Sequence, residues 1–155
     1  MRHLWAIRKN PSMPREIIKI GLAVVEANCL LLVKKRGSSC YILPGGKPEQ
    51  GEDDLTALSR EIDEELGCTL NLQLIRYLAT FVDRAAGLPN TKVVVKLYSG
   101  ALVGAPSPQA EIEQLIWFNP LTGTSTELAP SLTNSIVPYL FQTGRVTQSF
   151  QRARG

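Results

Sequence analysis

The chain contains 155 residues, of which 44% are hydrophobic and 20% are charged, and its formal net charge is +3. This composition is ordinary for a folded globular domain, and the length suits one hydrophobic core better than two. No internal repeat or low-complexity tract is visible, which excludes repeat proteins and largely disordered chains.

The charges are unevenly distributed. Residues 49–65 hold eight of the 14 acidic residues and one base, so the 16 basic and six acidic residues elsewhere give the rest of the chain a net charge of +10. The basic residues are scattered and lack an aromatic-interleaved patch, so a main role in binding nucleic acid is not expected. A basic rim around an acidic site suits a small phosphorylated substrate better.

Three cysteines, Cys29, Cys40 and Cys68, form no CxxC pair and cannot all pair with one another. This favours a reducing compartment, with the thiols as core filler. No signal-peptide core or membrane-length apolar stretch is visible, so a cytoplasmic protein is expected. The single histidine, His3, lies in a predicted leader, which argues against serine-hydrolase and zinc-protease chemistry.

Two apolar runs near the start predict neighbouring strands after an irregular leader over residues 1–15. The runs are 16–26 (EIIKIGLAVVE) and 29–35 (CLLLVKK), and Ala27-Asn28 between them suits a hairpin turn. Because both runs are apolar at nearly every central position, we expect them in the middle of a sheet, covered on both faces.

A basic segment, Lys34-Lys35-Arg36, ends the second of these strands, and Tyr41-Ile42-Leu43 leads into the acidic stretch. A solvated strand end explains the three charges in the simplest way. Their position beside the acidic stretch makes contact with a phosphate the alternative explanation.

The stretch 44–68 predicts a tight turn followed by a helix. Pro44-Gly45-Gly46 stops the preceding strand, since proline donates no ladder hydrogen bond and glycine tolerates positive φ. Carboxylates from Glu52 onward suit the unpaired N–H groups of a first helical turn, and Gly67 suits a left-handed C-cap. We therefore expect a helix from Glu52 to Leu66. Its core-facing stripe is predicted to be Leu55, Leu58, Ile62 and Leu66.

Three carboxylates stack near the end of this helix. Glu61, Glu64 and Glu65 are spaced i, i+3 and i+4, and each like-charge pair costs about 0.2–0.5 kcal/mol on a helix. Anions in the last turn cost about 0.3–1 kcal/mol each. A bound cation would relieve this repulsion, and hard oxygen donors without histidine or thiolate suit Mg²⁺ or Mn²⁺ better than zinc. The alternative is an acidic, solvated helix face.

The whole segment 46–68, GKPEQGEDDLTALSREIDEELGC, resembles the Nudix box, the signature of Nudix hydrolases. It matches as Gly46, five residues, Glu52, seven residues and then REIDEELG. Only Cys68 departs, standing where an aliphatic residue is usual, and a buried cysteine behaves as a small hydrophobe. About eight specified positions at fixed spacing make this signal far more specific than a lone GxGxxG.

The resemblance implies a set of site residues. The expected ligands of Mg²⁺ (or Mn²⁺) are Gly45 through its carbonyl, Glu61, Glu64, Glu65 and Glu111. The expected catalytic residues are Glu61, Glu64 and Arg60, with one of the glutamates taking the proton of the attacking water. The candidate substrate-binding residues are Lys35, Arg36 and Tyr41. The residues expected to hold loop and helix together are Gly46, Glu52 and Gly67.

Three further strands are predicted after the box. Runs 70–82 and 92–103 are joined by the polar loop 84–91 (RAAGLPNT), which we expect to influence specificity. Run 111–118 (EIEQLIWF) resembles a segment often found downstream of a Nudix box. Glu111 is the candidate there for a metal ligand or base, with Glu113 in reserve, and a surface glutamate is the alternative. Trp117 is expected in the core.

Ser131 is expected to cap a last helix that extends to about Phe141 and is kinked or delayed by Pro138. Its inward residues are predicted to be Leu132, Ile136, Leu140 and Phe141. Residues 146–155 are expected to fray. Strands, helix, strands and helix predict an α/β protein with a mixed β-sheet flanked by helices. The resemblance implies the Nudix-type α/β/α sandwich, as one hydrolase domain over residues 16–145.

The resemblance implies a Mg²⁺-dependent hydrolase that cleaves a pyrophosphate bond in a nucleoside diphosphate linked to another group, or in a related pyrophosphate. One alternative is a Nudix-fold domain that binds a nucleotide or a partner without hydrolysis. Another is an acidic helix that docks a basic partner protein, which would be sensitive to salt and indifferent to Mg²⁺. A homodimer is what similar proteins make common, and the sequence leaves the substrate open.

Overall fold

The computed structural model describes residues 15–147. The predicted leader and frayed tail lie outside this range except at their inner ends, where Arg15 begins the first strand and Val146 is buried. Three free cysteines lie within it, of which Cys40 and Cys68 are buried, as expected for core filler, and Cys29 is half-buried.

Nine strands and two α-helices follow one another within residues 15–147. The strands are β1 (Arg15–Ala23), β2 (Val25–Glu26), β3 (Cys29–Lys35), β4 (Gly45–Gly46), β5 (Thr69–Leu70), β6 (Arg76–Arg84), β7 (Thr91–Ser99), β8 (Leu102–Val103) and β9 (Ile112–Phe118). The helices are α1 (Asp54–Leu66) and α2 (Val137–Gln142), with a 3₁₀ turn at Leu72–Leu74 and a π-helical turn at Leu132–Ile136.

A mixed four-stranded sheet has the order β4-β1-β7-β6. β1 runs parallel to β7 along their whole length, and the pairs β1–β4 and β6–β7 are antiparallel. A three-stranded antiparallel sheet has the order β2-β3-β9, and β5 pairs with β8. The prediction of an α/β protein with a mixed sheet is confirmed.

The first predicted strand is divided at Val24. Its longer part, β1, joins the four-stranded sheet, and only the remainder, β2, forms the hairpin with β3. Ala27 and Asn28 of the turn have φ values of 50° and 64°, the double positive φ of a type I′ hairpin turn. The hairpin prediction is therefore correct in position and too long in extent.

The strand β3 separates two hydrophobic clusters. Leu31 and Val33 pack into the cluster that includes α1. Leu30 and Leu32 pack into the cluster that includes the C-terminal helical segment, which is the π-helical turn followed by α2. All four side chains are fully buried, which confirms the prediction of a central strand covered on both faces.

Helix α1 begins two residues later than predicted. Asp53 is its N-cap, with a side chain that accepts a hydrogen bond from the N–H of Thr56 at 2.8 Å. Gly67 adopts the predicted left-handed C-cap geometry, with φ of 69°. The predicted core residues Leu58, Ile62 and Leu66 are fully buried.

Two expected core residues are exposed. Leu55 of α1 is 39% exposed, because Ala57 is the residue of the first turn that faces the sheet. Trp117 of β9 is 36% exposed, because successive strand residues face opposite sides and Phe118 takes the inward position. Both predictions are wrong.

The last helical segment combines a π-helical turn with α2. Ser131 has helical φ and ψ and makes no side-chain capping bond, so the prediction of an N-cap there is wrong. Pro138 lies in the first turn of α2, which confirms the expected late start. Leu132, Ile136 and Leu140 are buried as predicted, and Phe141 is half-buried. Within residues 15–147 no helix is long and apolar enough to cross a membrane.

Candidate active site

The site lies where the short strand β4 meets β1 and α1, a place that we call the acidic corner. Gly45 pairs with Gly21 and Gly46 pairs with Ile20. Gly45 has φ of +136°, and a Cβ there would overlap the carbonyl oxygen of Ile20. Only glycine lets the backbone pass this close to β1, so the local sequence places the Gly45-Gly46 backbone against the carboxylates of α1.

Glu65 is the buried carboxylate of this corner. Its side chain is 1% exposed, and Oε1 accepts a hydrogen bond from the N–H of Gly45 at 3.1 Å. Oε2 is buried and has no hydrogen-bond partner among residues 15–147. Burial raises the pKa of Glu65 to about 8. An unpartnered buried polar atom costs about 1–3 kcal/mol, and packing alone gives no reason for this one.

Glu61 lies on the neighbouring turn of α1 and faces Gly46. A Cβ on Gly46 would lie 2.5 Å from the carboxyl carbon of Glu61, so the missing side chain leaves room for this carboxylate. Glu61 accepts a hydrogen bond from Arg60 at 3.1 Å. Burial raises the pKa of Glu61, and the guanidinium of Arg60 partly opposes that rise. Gly46 is thus part of the site as well as of the turn.

Arg60 ties the loop before α1 to the helix. Its Nε and Nη2 donate to the two carboxylate oxygens of Glu52 at 2.7 and 2.9 Å, and Nη2 also donates to the carbonyl of Lys47 at 3.2 Å. This bidentate pair lowers the pKa of Glu52 to about 2. Nη1 lies 3.8 Å from Glu49 and 3.5 Å from Glu64. The single charge of Arg60 thus lies among four carboxylates, which include that of Glu61, and offsets part of their repulsion.

Two lysines supply positive charge at the corner. Lys19 of β1 and Lys35 of β3 both interact electrostatically with Glu61 and Glu65. Lys19 is half-buried, and burial, together with the charge of Lys35, lowers its pKa. Sequence reasoning missed Lys19, although a lone cation inside the apolar run EIIKIGLAVV is a signal that could have identified it.

The other candidates are more exposed. The side chain of Glu111 is 50% exposed and lies 3.9 Å from Lys35, and Glu64 is 53% exposed at its ion pair with Arg60. The main-chain N–H of Arg36 donates to the carbonyl of Glu111 at 2.8 Å. Tyr41 donates its hydroxyl proton to Gln114 at 2.8 Å, outside the corner. The structure thus brings together Gly45, Gly46, Glu61, Glu65 and Lys35, with Glu111 at the edge and Tyr41 apart.

In the region spanning residues 15–147, no three His, Cys, Asp or Glu side chains converge into a ready metal-binding group. The reason is local, because Arg60 bonds to Glu61 and Glu64 lies at the surface. The donors nevertheless fit a hard divalent cation. Glu65 offers a buried carboxylate oxygen without a partner, and Glu61 lies against a glycine that has no Cβ.

A cavity of about 210 Å³ adjoins the corner. Gly45, Gly46, Lys19 and Lys35 line it together with residues of β1, β7 and the C-terminal helical segment. The loop between β6 and β7 contributes Ala85, Ala86 and Leu88 to its lining. The loop that is expected to influence specificity therefore borders this cavity, beside the acidic corner.

Comparison with known proteins identifies the family. The model of the NUDIX domain matches residues 18–134. A MutT Nudix hydrolase from Burkholderia pseudomallei is 30% identical with a TM-score of 0.59, over 68% of this chain and 84% of that one. A putative Nudix hydrolase from Chromobacterium violaceum is 25% identical with a TM-score of 0.62, over 89% of this chain and 84% of that one.

A third structure resembles the chain in fold. It is a bifunctional NMN adenylyltransferase/ADP ribose pyrophosphatase from Francisella tularensis, complexed with AMP and a manganese ion. It is 18% identical with a TM-score of 0.62, over 92% of this chain and 45% of that one. No curated protein matches the chain. The match over 18–134 and the two hydrolase structures confirm the resemblance drawn from the box and the Nudix-type fold that it implied. The chain therefore belongs to the Nudix family and is a Nudix hydrolase.

Proposed function

We propose that the protein is a divalent-metal-dependent hydrolase, with Mg²⁺ or Mn²⁺ as its cation, that cleaves the pyrophosphate bond of a nucleoside diphosphate linked to another group. The observation that carries this proposal is the buried, unpartnered Oε2 of Glu65 beside Glu61 and the Gly45-Gly46 backbone. The Francisella tularensis structure, with its manganese ion and AMP, supports the choice of cation and of substrate class.

Glu61, Glu65 and the carbonyl of Gly45 would hold the cation. Glu64 and Glu111 are further ligands, since both side chains are about half exposed and each is held here by a single ion pair. Exposed ion pairs are worth only about 0–1 kcal/mol, so either side chain can turn toward the corner at little cost. A bound divalent cation would neutralise charge on the phosphate oxygens as the bridge breaks.

The remaining side chains bind and orient the substrate. Lys19 and Lys35 lie where a diphosphate beside Gly45 and Gly46 would need positive charge, and Arg60 extends this basic set along α1. Arg36 and Tyr41 would act at the outer end of the substrate. One of Glu61, Glu64 and Glu111 would take the proton of the attacking water, which forms its bond to phosphorus as the bridging P–O bond breaks.

The direct test is a Mg²⁺-dependent phosphate-release screen, coupled to pyrophosphatase and phosphatase. It would cover nucleoside triphosphates, nucleotide sugars, ADP-ribose and dinucleoside polyphosphates. Glu64→Gln should lower turnover by at least about 100-fold, as loss of a metal-bound catalytic group implies. Asp63→Asn is the matched control, because Asp63 is the exposed neighbour on the same helix. Full turnover in a folded Glu64→Gln variant would refute the assignment of Glu64.

A Nudix-fold domain that binds without hydrolysis would give a different result. It would release no phosphate from any member of the panel and would bind nucleotide in a separate titration. The unpartnered Glu65 oxygen favours the enzyme, since a binding module gains nothing from a buried carboxyl oxygen without a partner.

We further propose a reducing compartment, the cytoplasm, for this protein. The three free thiols support it, because such cysteines remain unpaired in reducing conditions. A homodimer is also proposed, and sedimentation of the full chain would test it.

A further inference from the structure

The cavity beside the acidic corner has aliphatic walls. Ile17, Val93 and Val95 form its wall on the four-stranded sheet, Leu132 and Ile136 form the opposite wall, and Leu88 lies at the loop side. The opposite wall is the π-helical turn, an irregularity that is frequent at functional sites. The cavity is therefore a shaped recess built by two parts of the fold.

The polar side chains of the cavity are few and are mostly donors. Lys19 and Lys35 lie toward the carboxylates of the corner, and Arg84 lies toward the loop between β6 and β7. The only others are Ser38, Cys40 and Ser131. Among the lining residues within 15–147, none is aromatic and none carries an amide or carboxylate.

This lining is poorly suited to a nucleobase. A base is normally held by stacking on aromatic rings and by hydrogen bonds to its polar edge. Here its ring N–H and amino groups would face mostly aliphatic side chains, with the hydroxyls of Ser38 and Ser131 as the few side-chain acceptors in place of water. An aliphatic group has no hydrogen bonds to lose in the same place, and its transfer out of water is favourable.

The size of the cavity also favours an aliphatic group over a nucleoside. Its volume of about 210 Å³ is below the roughly 300–1,000 Å³ of common ligand pockets. A complete nucleoside would extend beyond it toward the recess at the loop between β6 and β7, whereas a short branched chain would lie within it. The two lysines beside Gly45 and Gly46 then meet the charged end of the same molecule.

We propose that this cavity binds a short aliphatic group carried on a diphosphate, so that such a diphosphate ester is the preferred substrate. This inference rests on the proposed metal-dependent hydrolysis of a diphosphate bond and goes beyond it, since an alkyl group takes the place of the nucleoside. Water bonds to the terminal phosphorus, the bridging P–O bond breaks, and the water proton passes to a carboxylate. The products are an alkyl monophosphate and inorganic phosphate, with no oxidant or further reactant required.

The first test compares substrates on the full chain with Mg²⁺. Isoamyl diphosphate should show a kcat/KM at least about tenfold above those of ADP-ribose and UDP-glucose, because their bases lack partners in the cavity. Faster turnover of ADP-ribose or UDP-glucose would overturn the substrate class and leave the hydrolase function standing. Absence of turnover with every diphosphate would instead overturn the hydrolase function.

A variant that fills the cavity tests the location. Ala86 is exposed on the loop and lines the cavity, so Ala86→Trp should raise the KM for isoamyl diphosphate by at least about tenfold. Ala105→Trp, on an exposed loop residue that does not line the cavity, should leave that KM unchanged. An unchanged KM in a folded Ala86→Trp variant would overturn the proposal.

A binding measurement needs neither the variant nor turnover. Calorimetric titration of the unmodified chain in Mg²⁺ should give isoamyl monophosphate a Kd at least about tenfold lower than that of AMP. Tighter binding of AMP would overturn the proposal, even if the Ala86→Trp variant failed to fold or no diphosphate was hydrolysed.

Discussion

Two carboxyl groups, one just before α1 and one in its last turn, show opposite ways of packing an acidic group into the fold. Glu52 sits just before α1 with both oxygens bonded to Arg60, and its pKa falls to about 2. Glu65 has one oxygen bonded to Gly45 and one without a partner, and its pKa rises to about 8. The first arrangement is electrostatically complete and the second is not. The incomplete one is where a ligand has something to add.

Removing the carboxylate of Glu65 should have the largest effect on turnover. Glu65→Gln keeps an oxygen for the N–H of Gly45 and removes the carboxyl that can ionise to bind a cation, so turnover should fall at least about 100-fold. The melting temperature in EDTA should equal or exceed that of the unmodified protein, since the replaced oxygen Oε2 has no hydrogen bond to lose. Phosphate release and thermal melting on the same preparations would check both expectations.

The same pair of proteins shows whether the corner binds a cation. Mg²⁺ should raise the melting temperature of the unmodified protein by mass action and leave that of Glu65→Gln unchanged. An equal rise in both would place the cation elsewhere and remove Glu65 from the site.

Substitution of each of the two adjacent glycines should distinguish a structural role from a functional one. Gly46→Ala puts a Cβ against the flexible carboxylate of Glu61, so turnover should fall about tenfold while the fold persists. Gly45→Ala puts a Cβ against the backbone of Ile20 at φ of +136°, so it should lower the melting temperature markedly. If Gly46→Ala retained full activity, Glu61 would not need its present position.

The local parts of this contrast follow from the sequence. Pro44-Gly45-Gly46, the acidic first turn and Gly67 predict α1 to within two residues, because turns and caps depend on neighbours in the chain. The three glutamates at helical spacing likewise predict which turn of the helix carries the charge.

The features that depend on residues far apart in the chain cannot be predicted from the sequence in this way. Lys19 joins the corner because β1 pairs with β7, 76 residues along the chain, and with β4. The same pairing removes β1 from the hairpin at Val24. Spacing places Leu55 on the core stripe of α1, but whether anything covers it depends on where the sheet ends. That Glu64 faces the surface while Glu65 is buried also depends on packing.

Arg60 should stabilise the fold through the planar shape of its guanidinium as well as through its charge. Arg60→Lys keeps the charge but cannot make the two-pronged contact with Glu52 together with the bond to the carbonyl of Lys47. The melting temperature should fall by roughly 3–6 °C. Lys96 makes a single contact with Asp54, at 3.4 Å, and the Tyr98 hydroxyl also donates to Asp54 at 2.7 Å, so Lys96→Arg keeps the charge and should leave the melting temperature nearly unchanged. Equal melting of Arg60→Lys and the unmodified protein would mean that charge alone holds the loop.

The smallest expected effect is the acid dependence of the same contact. The pKa of Glu52 lies at about 2 in the folded protein, against an ordinary value of 4.5, so folding favours its charged form. The stabilisation is fully present above the unfolded pKa and is lost as the pH falls from about 4.5 toward 2. Glu52→Gln should therefore be less stable than the unmodified protein at pH 7, and the difference should shrink across that acid range.

Glu49 is the matched control for this pH dependence. Its side chain is 70% exposed and lies 3.8 Å from the same guanidinium, so Glu49→Gln should leave the acid limb of the stability curve almost unchanged. Urea unfolding at a series of pH values would compare the two variants. A constant difference between Glu52→Gln and the unmodified protein from pH 7 to pH 2 would show that the Glu52 carboxylate does not titrate with the contact. In that case the bonds to Arg60 would act through packing of the loop, and the contrast with Glu65 would rest on burial alone.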